Sequence, residues 1–295
     1  MEGTGVVAGF EEHRPHLRAV AYRMLGSLSE ADDAVQETWL RASRADTGGV
    51  RNPGGWLTTV MARVCLNMLR SRDQRREEPI GARTGDPLIG RAAGDDPEAD
   101  AVLADSVGVA MLVVLDTLSP AERLAFVLHD MFSVPFDDVA ALLERSPEAT
   151  RQLASRARRR VKGAAPAPGA DLARQRRVVD AFLAAARGGD FAALVGLLHP
   201  DVVLRADAAV VPTPEPVVVR GARPVAEGAM AAVERARFTG AALVDGVVGL
   251  AMAPYGRLRV VLRFAFDGDL VTEIDVIADP DRLDGLEIGV LGASG

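Results

Sequence analysis

Apolar residues recur at intervals of three and four through the first half of the chain and alternate with a period of two only near its end. Phe10, Leu17, Val20, Ala21, Met24 and Leu25 fall on one helical face. Ser29, with Asp32 three residues on, predicts the cap of a second helix. Its apolar stripe is Ala31, Ala34, Val35, Trp39 and Ala42; its other face carries Asp32, Asp33, Gln36, Glu37 and Arg41. Asn52-Pro53 reads as a cap followed by proline in the first turn of a third helix. Trp56, Val60, Val64 and Met68 predict its apolar side, and Arg63, Asn67, Arg70 and Gln74 form a polar stripe opposite. Turn formers and charges over 77–99 then predict a linker. Helical periodicity resumes with Val102, Leu103, Val107, Ala110, Val113 and Val114. Ser119-Pro120-Ala121-Glu122 is a capping box, Phe136–Leu143 a short helix, and Ser146-Pro147 opens another that runs to about Lys162.

A Pro/Ala/Gly stretch over 163–170 predicts a second linker, stiffened by its prolines. Beyond it, helical patterns at 171–187 and 191–198 give way to strands. Leu258, Val260, Leu262, Phe264 and Phe266 alternate with more polar positions, Asp267-Gly268 reads as a two-residue hairpin turn, and Leu270, Thr272, Ile274 and Val276 return. The tail is therefore expected to be α+β with a curved antiparallel sheet. The predicted organisation is multidomain: two all-α modules at 8–76 and 100–162, separated by the 77–99 linker, then the 163–170 linker and an α+β domain at 171–295.

Length and composition narrow the classes. The 295 residues suit two or three domains, and 48% hydrophobic with 25% charged residues exclude a disordered or fibrous chain. Cys65 is the lone cysteine, so an internal disulfide is impossible, and the four scattered histidines offer no metal-ligand spacing. No metal and no cofactor is expected. The longest charge-free stretches are eleven residues, too short to span a bilayer. The start has no basic segment before an apolar core, so a cytoplasmic location is expected. A net charge of −7 argues against a nucleic-acid partner until its distribution is considered. Arg70, Arg72, Arg75 and Arg76 bunch together, as do Arg151, Arg156, Arg158, Arg159, Arg160 and Lys162, and local patches decide where phosphate docks.

A short capped helix, a tight turn and a longer basic helix make the helix-turn-helix pattern. On the last helix Thr150, Leu153, Ala154, Ala157 and Val161 face a core, leaving Arg151, Gln152, Ser155, Arg156 and Arg159 outside with Arg160 adjoining. Arg and Gln read guanine and adenine edges, and further Arg neutralises phosphate. A solvated helix in an ordinary bundle is the bland alternative, and the capped helix and turn before it favour DNA. The stripe of Arg63, Asn67, Arg70 and Gln74 suits a backbone and splayed bases, while Trp56 reads as core rather than as a stacking platform. In the tail His199, Asp201 and Asp207 are the local candidates for a catalytic base, but His199 reads as a capping or surface residue and Asp207 as a turn cap. Apolar strands such as 258–266 can line a pocket, though most such stripes are plain core.

His16–Arg41, continued by Trp56–Arg63, resembles region 2 of bacterial sigma factors of the extracytoplasmic-function group, and Ser119–Val161 resembles their region 4. Arg176–Asp207 and Leu270–Leu283 resemble the SnoaL-like branch of the nuclear-transport-factor-2-like fold, an α+β cone around a pocket. The resemblance implies a dissociable RNA polymerase subunit without catalysis of its own. Asp32, Asp33, Gln36 and Glu37, with Trp39 adjoining, would meet the clamp coiled coil of core RNA polymerase. The loop Val50–Gly55 and the stripe Arg63, Asn67, Arg70 and Gln74 would engage the minus-ten element of promoter DNA and capture an unstacked base. The helix carrying Arg151, Gln152, Ser155, Arg156, Arg159 and Arg160 would enter the minus-thirty-five major groove. The tail would modulate activity, with a small ligand or regulatory protein as a possible partner. The chain lacks the Trp-Leu-Pro-Glu-Pro and Asp-Gly-Gly-Gly-Lys motifs usual in the subgroup with such an extension. Two other readings compete: a ligand-responsive helix-turn-helix regulator, and a DNA-binding module fused to a SnoaL-like enzyme.

Overall fold

The computed structural model describes residues 9–75, 108–210 and 215–292. The predicted 77–99 linker and the start of the helical pattern at Val102, Leu103 and Val107 lie outside them. The chain divides into two compact units, one gathering described residues 9–75 with 115–159, the other 108–114 with 160–210 and 215–292.

In the first unit α1 (Phe10–Leu25), α2 (Leu28–Arg44) and α3 (Pro53–Arg75) pack on one another. Leu17, Val20, Met24, Leu25, Leu57 and Met61 are fully buried between them. The cap of α2 is Ser27, whose hydroxyl accepts from the Glu30 amide, and not Ser29, which sits inside the helix with its hydroxyl 3.2 Å from that of Ser27. Capping needs an extended backbone, and Ser27 has it, with φ −133° and ψ 139°. The inward face of α3 is also rotated from the expected stripe. Leu57, Met61, Ala62, Val64 and Cys65 are its deepest residues, and Trp56, Val60 and Met68 are half-buried at the margins.

The helix α4 (Val109–Thr117) leads to α5 (Pro120–Phe126), which runs on through one π-helical turn (Val127–Met131). Ser119 and Glu122 make the expected reciprocal box, the serine hydroxyl accepting from the Glu122 amide and the Glu122 carboxylate from the Ser119 amide. The helices α6 (Phe136–Leu143) and α7 (Pro147–Lys162) follow, and the residues of α7 up to Arg159 belong to the first unit. Between them Glu144 takes a left-handed conformation (φ 54°), and the Ser146 hydroxyl accepts from the Ala149 amide at 3.2 Å.

The second unit carries α8 (Leu172–Gly188), α9 (Phe191–Leu197), β1 (Leu198–Ala206), β2 (Val217–Arg220), α10 (Ala222–Ala231), α11 (Val233–Ala236), β3 (Thr239–Val244), β4 (Val247–Met252), β5 (Val260–Asp267), β6 (Leu270–Ile277), α12 (Pro280–Asp284) and β7 (Ile288–Gly289). The sheet order is β2-β1-β6-β5-β4-β3-β7. It is mixed rather than antiparallel throughout, because β1 pairs parallel with β6. Strands so far apart in sequence are free to align either way, and the helices and hairpins between them supply the crossover that parallel pairing requires. The β5–β6 turn is Gly268-Asp269, one position later than expected: Asp267 still pairs with Leu270, and Gly268 takes the positive φ. Asp245 and Gly246 both have positive φ and join β3 to β4, the backbone of a type I′ turn.

The 163–170 segment is tied down within this unit. The Ala167 amide donates to the Gly246 carbonyl at 2.9 Å, and the Val290 amide to the Val161 carbonyl at 2.8 Å. A Cβ on Gly163, whose φ is +67°, would lie 2.6 Å from the Gly289 Cα, so glycine is required there on both counts.

Asp207 links the end of β1 to the exit of β6. Its carboxylate accepts from the Ala278 and Asp279 amides, each at 3.0 Å, and pairs with Arg282. Burial opposes its ionisation, but the two amides and Arg282 outweigh that and hold it below the usual carboxylate range. The stability it lends is present above its unfolded-chain value near pH ~4 and lost as pH falls below that. Asp207→Ala should cost ~1–3 kcal/mol at neutral pH. Urea denaturation followed by far-ultraviolet circular dichroism should show the variant and the parent converging as pH falls to about 3.

Candidate nucleic-acid and polymerase interfaces

Arg151, Gln152, Ser155, Arg156, Arg159 and Arg160 are all exposed on α7, while Thr150, Leu153, Ala154 and Ala157 are buried and Val161 half-buried. The amphipathic spacing thus sets six polar side chains against one core stripe. They are not equivalent. Arg156 pairs with Glu122 at 2.9 Å, and the Arg151 guanidinium sits 5.5 Å over the Phe136 ring. Among the described residues Gln152, Ser155 and Arg159 have no side-chain partner. The neighbouring Arg158, outside the predicted set, is held by Asp130 at 2.6 Å.

On α3, Arg63, Asn67 and Arg70 are exposed along one side, with no side-chain partner among the described residues. Gln74 belongs to the same helix, and its side chain lies outside the described residues. On α2, Asp32, Asp33 and Gln36 are exposed, and Glu37 and Trp39 are half-buried. Arg18 makes a two-pronged bond to Asp32 (2.6 and 2.9 Å), and Arg41 binds Glu37 at 2.8 Å. Trp39 packs edge-on to Phe10 with ring centroids 5.0 Å apart, so part of its ring belongs to the core.

A buried charge network escaped the sequence reading. Arg123 on α5, only 2% exposed, donates from Nε to the Arg23 carbonyl at the end of α1 and lies 3.6 Å from Asp116 in α4. Arg72 on α3 stands 4.0 Å from the same Asp116, donates to the Leu25 carbonyl at 3.3 Å and pairs with Glu30 on α2. Burial pulls the Arg123 pKa down, against the upward pull of Asp116, to about 10, so the guanidinium stays charged at neutral pH. Cys65, fully buried nearby on α3, has its thiol pushed up to about 12 by burial.

In the second unit the three candidate bases do not converge. The His199 Nδ1 accepts from the Asp201 amide at 3.1 Å, and Asp207 is tied to Ala278, Asp279 and Arg282. None of the three lines the cavity of about 410 Å3 between the sheet and helices α8, α10 and α11. Val260 and Leu262 of the alternating strand do line it.

A helical bundle with an acid-faced helix and a polar stripe, followed in one chain by a helix-turn-helix with an arginine-rich second helix, defines the class of bacterial sigma factors. Residues 10–75 match the family model of sigma-70 region 2, and residues 109–161 that of sigma-70 region 4. The chain is 39% identical to the ECF RNA polymerase sigma factor SigJ of Mycobacterium tuberculosis, covering 95% of this chain and 93% of SigJ. It is 33% identical to the probable ECF RNA polymerase sigma factor SigI of the same organism, covering 95% and 96%. The crystal structure of SigJ aligns over 95% of this chain and 98% of its own, at 34% identity with a TM-score of 0.45. The chain belongs to the extracytoplasmic-function RNA polymerase sigma factors. It is accordingly a sigma factor, acting with RNA polymerase in promoter recognition and transcription initiation. No helix among the described residues is long and apolar enough to cross a membrane.

The Arg123 network makes a prediction about the first unit. Arg123→Ala takes from Asp116 the nearer of its two guanidiniums and leaves the Arg23 carbonyl without its donor, so it should cost ~1–3 kcal/mol. Cys65, the only thiol, should be inert to a disulfide reagent in the native protein and react measurably faster in the variant, read as thiolate release over time.

Proposed function

We propose that α7 reads the minus-thirty-five element, that α3 and the loop Val50–Gly55 engage the minus-ten element, and that α2 contacts the clamp coiled coil of core RNA polymerase. The observation that carries this reading is the exposed row on α7, where Gln152, Ser155 and Arg159 lie ready for groove and backbone while four residues behind them anchor the helix. The base readers are Arg151 and Gln152, and Ser155, Arg156, Arg159 and Arg160 hold phosphate. On α3 the stripe of Arg63, Asn67, Arg70 and Gln74 supports contact with the minus-ten strand, with Asn67 and Arg70 acting in melting. On α2 Asp33 and Gln36 are the readiest contacts, because Asp32 and Glu37 must first release Arg18 and Arg41, exchanges that are cheap for exposed pairs.

The boundaries adopted for these roles are 8–76, 100–162 and 171–295. The last of these domains modulates promoter output and catalyses nothing; the engagement of Asp207 and His199 in structural hydrogen bonds supports that part. A cytoplasmic site of action follows from the polymerase partner.

Gln152→Ala should alter which upstream sequences are used, by about 1–3 kcal/mol per lost bidentate contact. Arg159→Ala should weaken all promoters alike and lower the salt slope by about one. Run-off transcription on a promoter panel at several salt concentrations checks both, and equal losses on every promoter from both variants would exclude base reading by Gln152.

Truncation after Ala165 should change promoter output several-fold while pull-down of core polymerase is retained. Identical run-off output from full-length and truncated chains across the salt range would remove the modulatory role.

A further inference from the structure

The outer face of α7 holds its arginines by different means. Arg156 is held through its donors, by the Glu122 carboxylate at 2.9 Å. Arg151 is held through its charge, with Cζ 5.5 Å from the centre of the Phe136 ring, and it makes no hydrogen bond or ion pair among the described residues. The exposed carboxylates of Asp137 and Asp138 follow Phe136 in α6, yet the partner of Arg151 is the ring. The distinction bears on recognition. Reading a guanine takes two N–H donors of one guanidinium, free and in a fixed plane. A cation–π contact engages the charge and leaves those donors to a ligand. Arg151 also lies near the N-terminal end of α7, the end that meets base edges when such a helix enters a major groove.

Phe136 is placed as a support rather than as core. It is the first residue of α6 and half-buried, while Val139, Ala140, Leu142 and Leu143 give that helix its buried face. Its ring stacks on that of His129, with centroids 3.6 Å apart and planes at 24°. His129 is fixed in turn, its Nδ1 donating to the Val134 carbonyl at 2.9 Å. The turn between the two rings is closed by the Val134 amide on the Leu128 carbonyl (2.9 Å) and the Ser133 amide on the His129 carbonyl (3.0 Å). His129 belongs to the π-helical turn Val127–Met131, and such turns recur at functional sites. A succession of contacts thus runs from the π-helical turn through the start of α6 to α7.

We infer that Phe136, backed by His129, is a positioning residue for base reading by Arg151. The ring orders the guanidinium before DNA arrives and so sets discrimination at the base pair Arg151 reads, a guanine by the chemistry of the side chain. The inference rests on the assignment of α7 to the minus-thirty-five element. Ordering a long side chain on binding costs rotamer entropy, and a guanidinium already held on a ring has less of it to lose.

The test is run-off transcription by the RNA polymerase holoenzyme carrying the full-length chain, on a promoter bearing each single base change across its minus-thirty-five element. Arg151→Ala should abolish discrimination at one guanine, a change of about 5- to 150-fold. Phe136→Leu keeps an apolar side chain without a ring, and should reduce discrimination at that same position by about two- to fivefold, the worth of an exposed cation–π contact. Phe136→Tyr should retain it. Adding Phe136→Leu to Arg151→Ala should change nothing further at that position, because the guanidinium it positions is gone. Thermal melts matching the parent show that each variant folds. A second measurement needs no variant. The nuclear magnetic resonance order parameter of the Arg151 Nε–H bond in the full-length protein should exceed that of Arg159, which has no side-chain partner among the described residues. Discrimination unchanged at every position in Arg151→Ala would overturn base reading by Arg151 and the inference with it. Three outcomes would overturn the inference alone and leave base reading standing: discrimination lost in Arg151→Ala but intact in Phe136→Leu, equal weakening of every template by Phe136→Leu, or an Arg151 side chain as mobile as that of Arg159.

Discussion

The first unit depends on the burial of one charge. A guanidinium removed from water is tolerated only when its donors and its charge are answered, and Arg123 is answered by the Arg23 carbonyl and by Asp116. Asp116 stands between Arg123 and Arg72, and Arg72 in turn holds the Leu25 carbonyl and Glu30. The result is a chain of polar contacts that touches five helices, α1 to α5. Aliphatic packing at Leu57, Met61 and Leu124 supplies the apolar contribution but accepts sliding and repacking. The ionic chain does not, since a shift of an ångström or two leaves a buried charge without its partner. It therefore sets the mutual placement of these helices more sharply than the hydrophobic core could.

What was legible in the sequence was what local chemistry decides. Ser119 with Glu122, Pro120 and Pro147 mark helix starts, and the structure has them there, because capping uses only residues within one turn. The face of α7 followed from its 3.6-residue period. Errors came where two local signals competed. Ser27 and Ser29 both offer a cap hydroxyl, and the backbone conformation that chooses between them depends on the turn at Gly26. The parallel pairing of β1 with β6 was illegible, since nothing in either strand encodes its neighbour. Arg123 was illegible for a related reason: a lone arginine in a helical pattern reads as surface, and only tertiary structure reveals what encloses it.

The candidate surfaces were legible in composition but not in availability. Asp32, Glu37 and Arg156 occupy the predicted faces, yet each already has an opposite charge within 3 Å. Exposed pairs of this kind are weak, and they grade the surfaces rather than closing them. Among the described residues Gln152, Asp33 and Asn67 have no side-chain partner. The polar faces are best regarded as graded sets in which part of each is ready and part must exchange a partner.

The segment 163–170 has the composition of a spacer, but its backbone is stitched to the β3–β4 turn through Ala167 and flanked by the contact of Gly163 with Gly289. Spacers normally absorb insertions and deletions, because loop-closure entropy changes slowly with length. Here the residue count is itself a structural parameter. Adding or deleting one residue between Gly163 and Ala167 would put the wrong amide opposite the Gly246 carbonyl or the wrong side chain against Gly289. Natural variation at this junction should therefore preserve length while tolerating changes of side chain at the prolines and alanines, the reverse of what a low-complexity stretch usually permits.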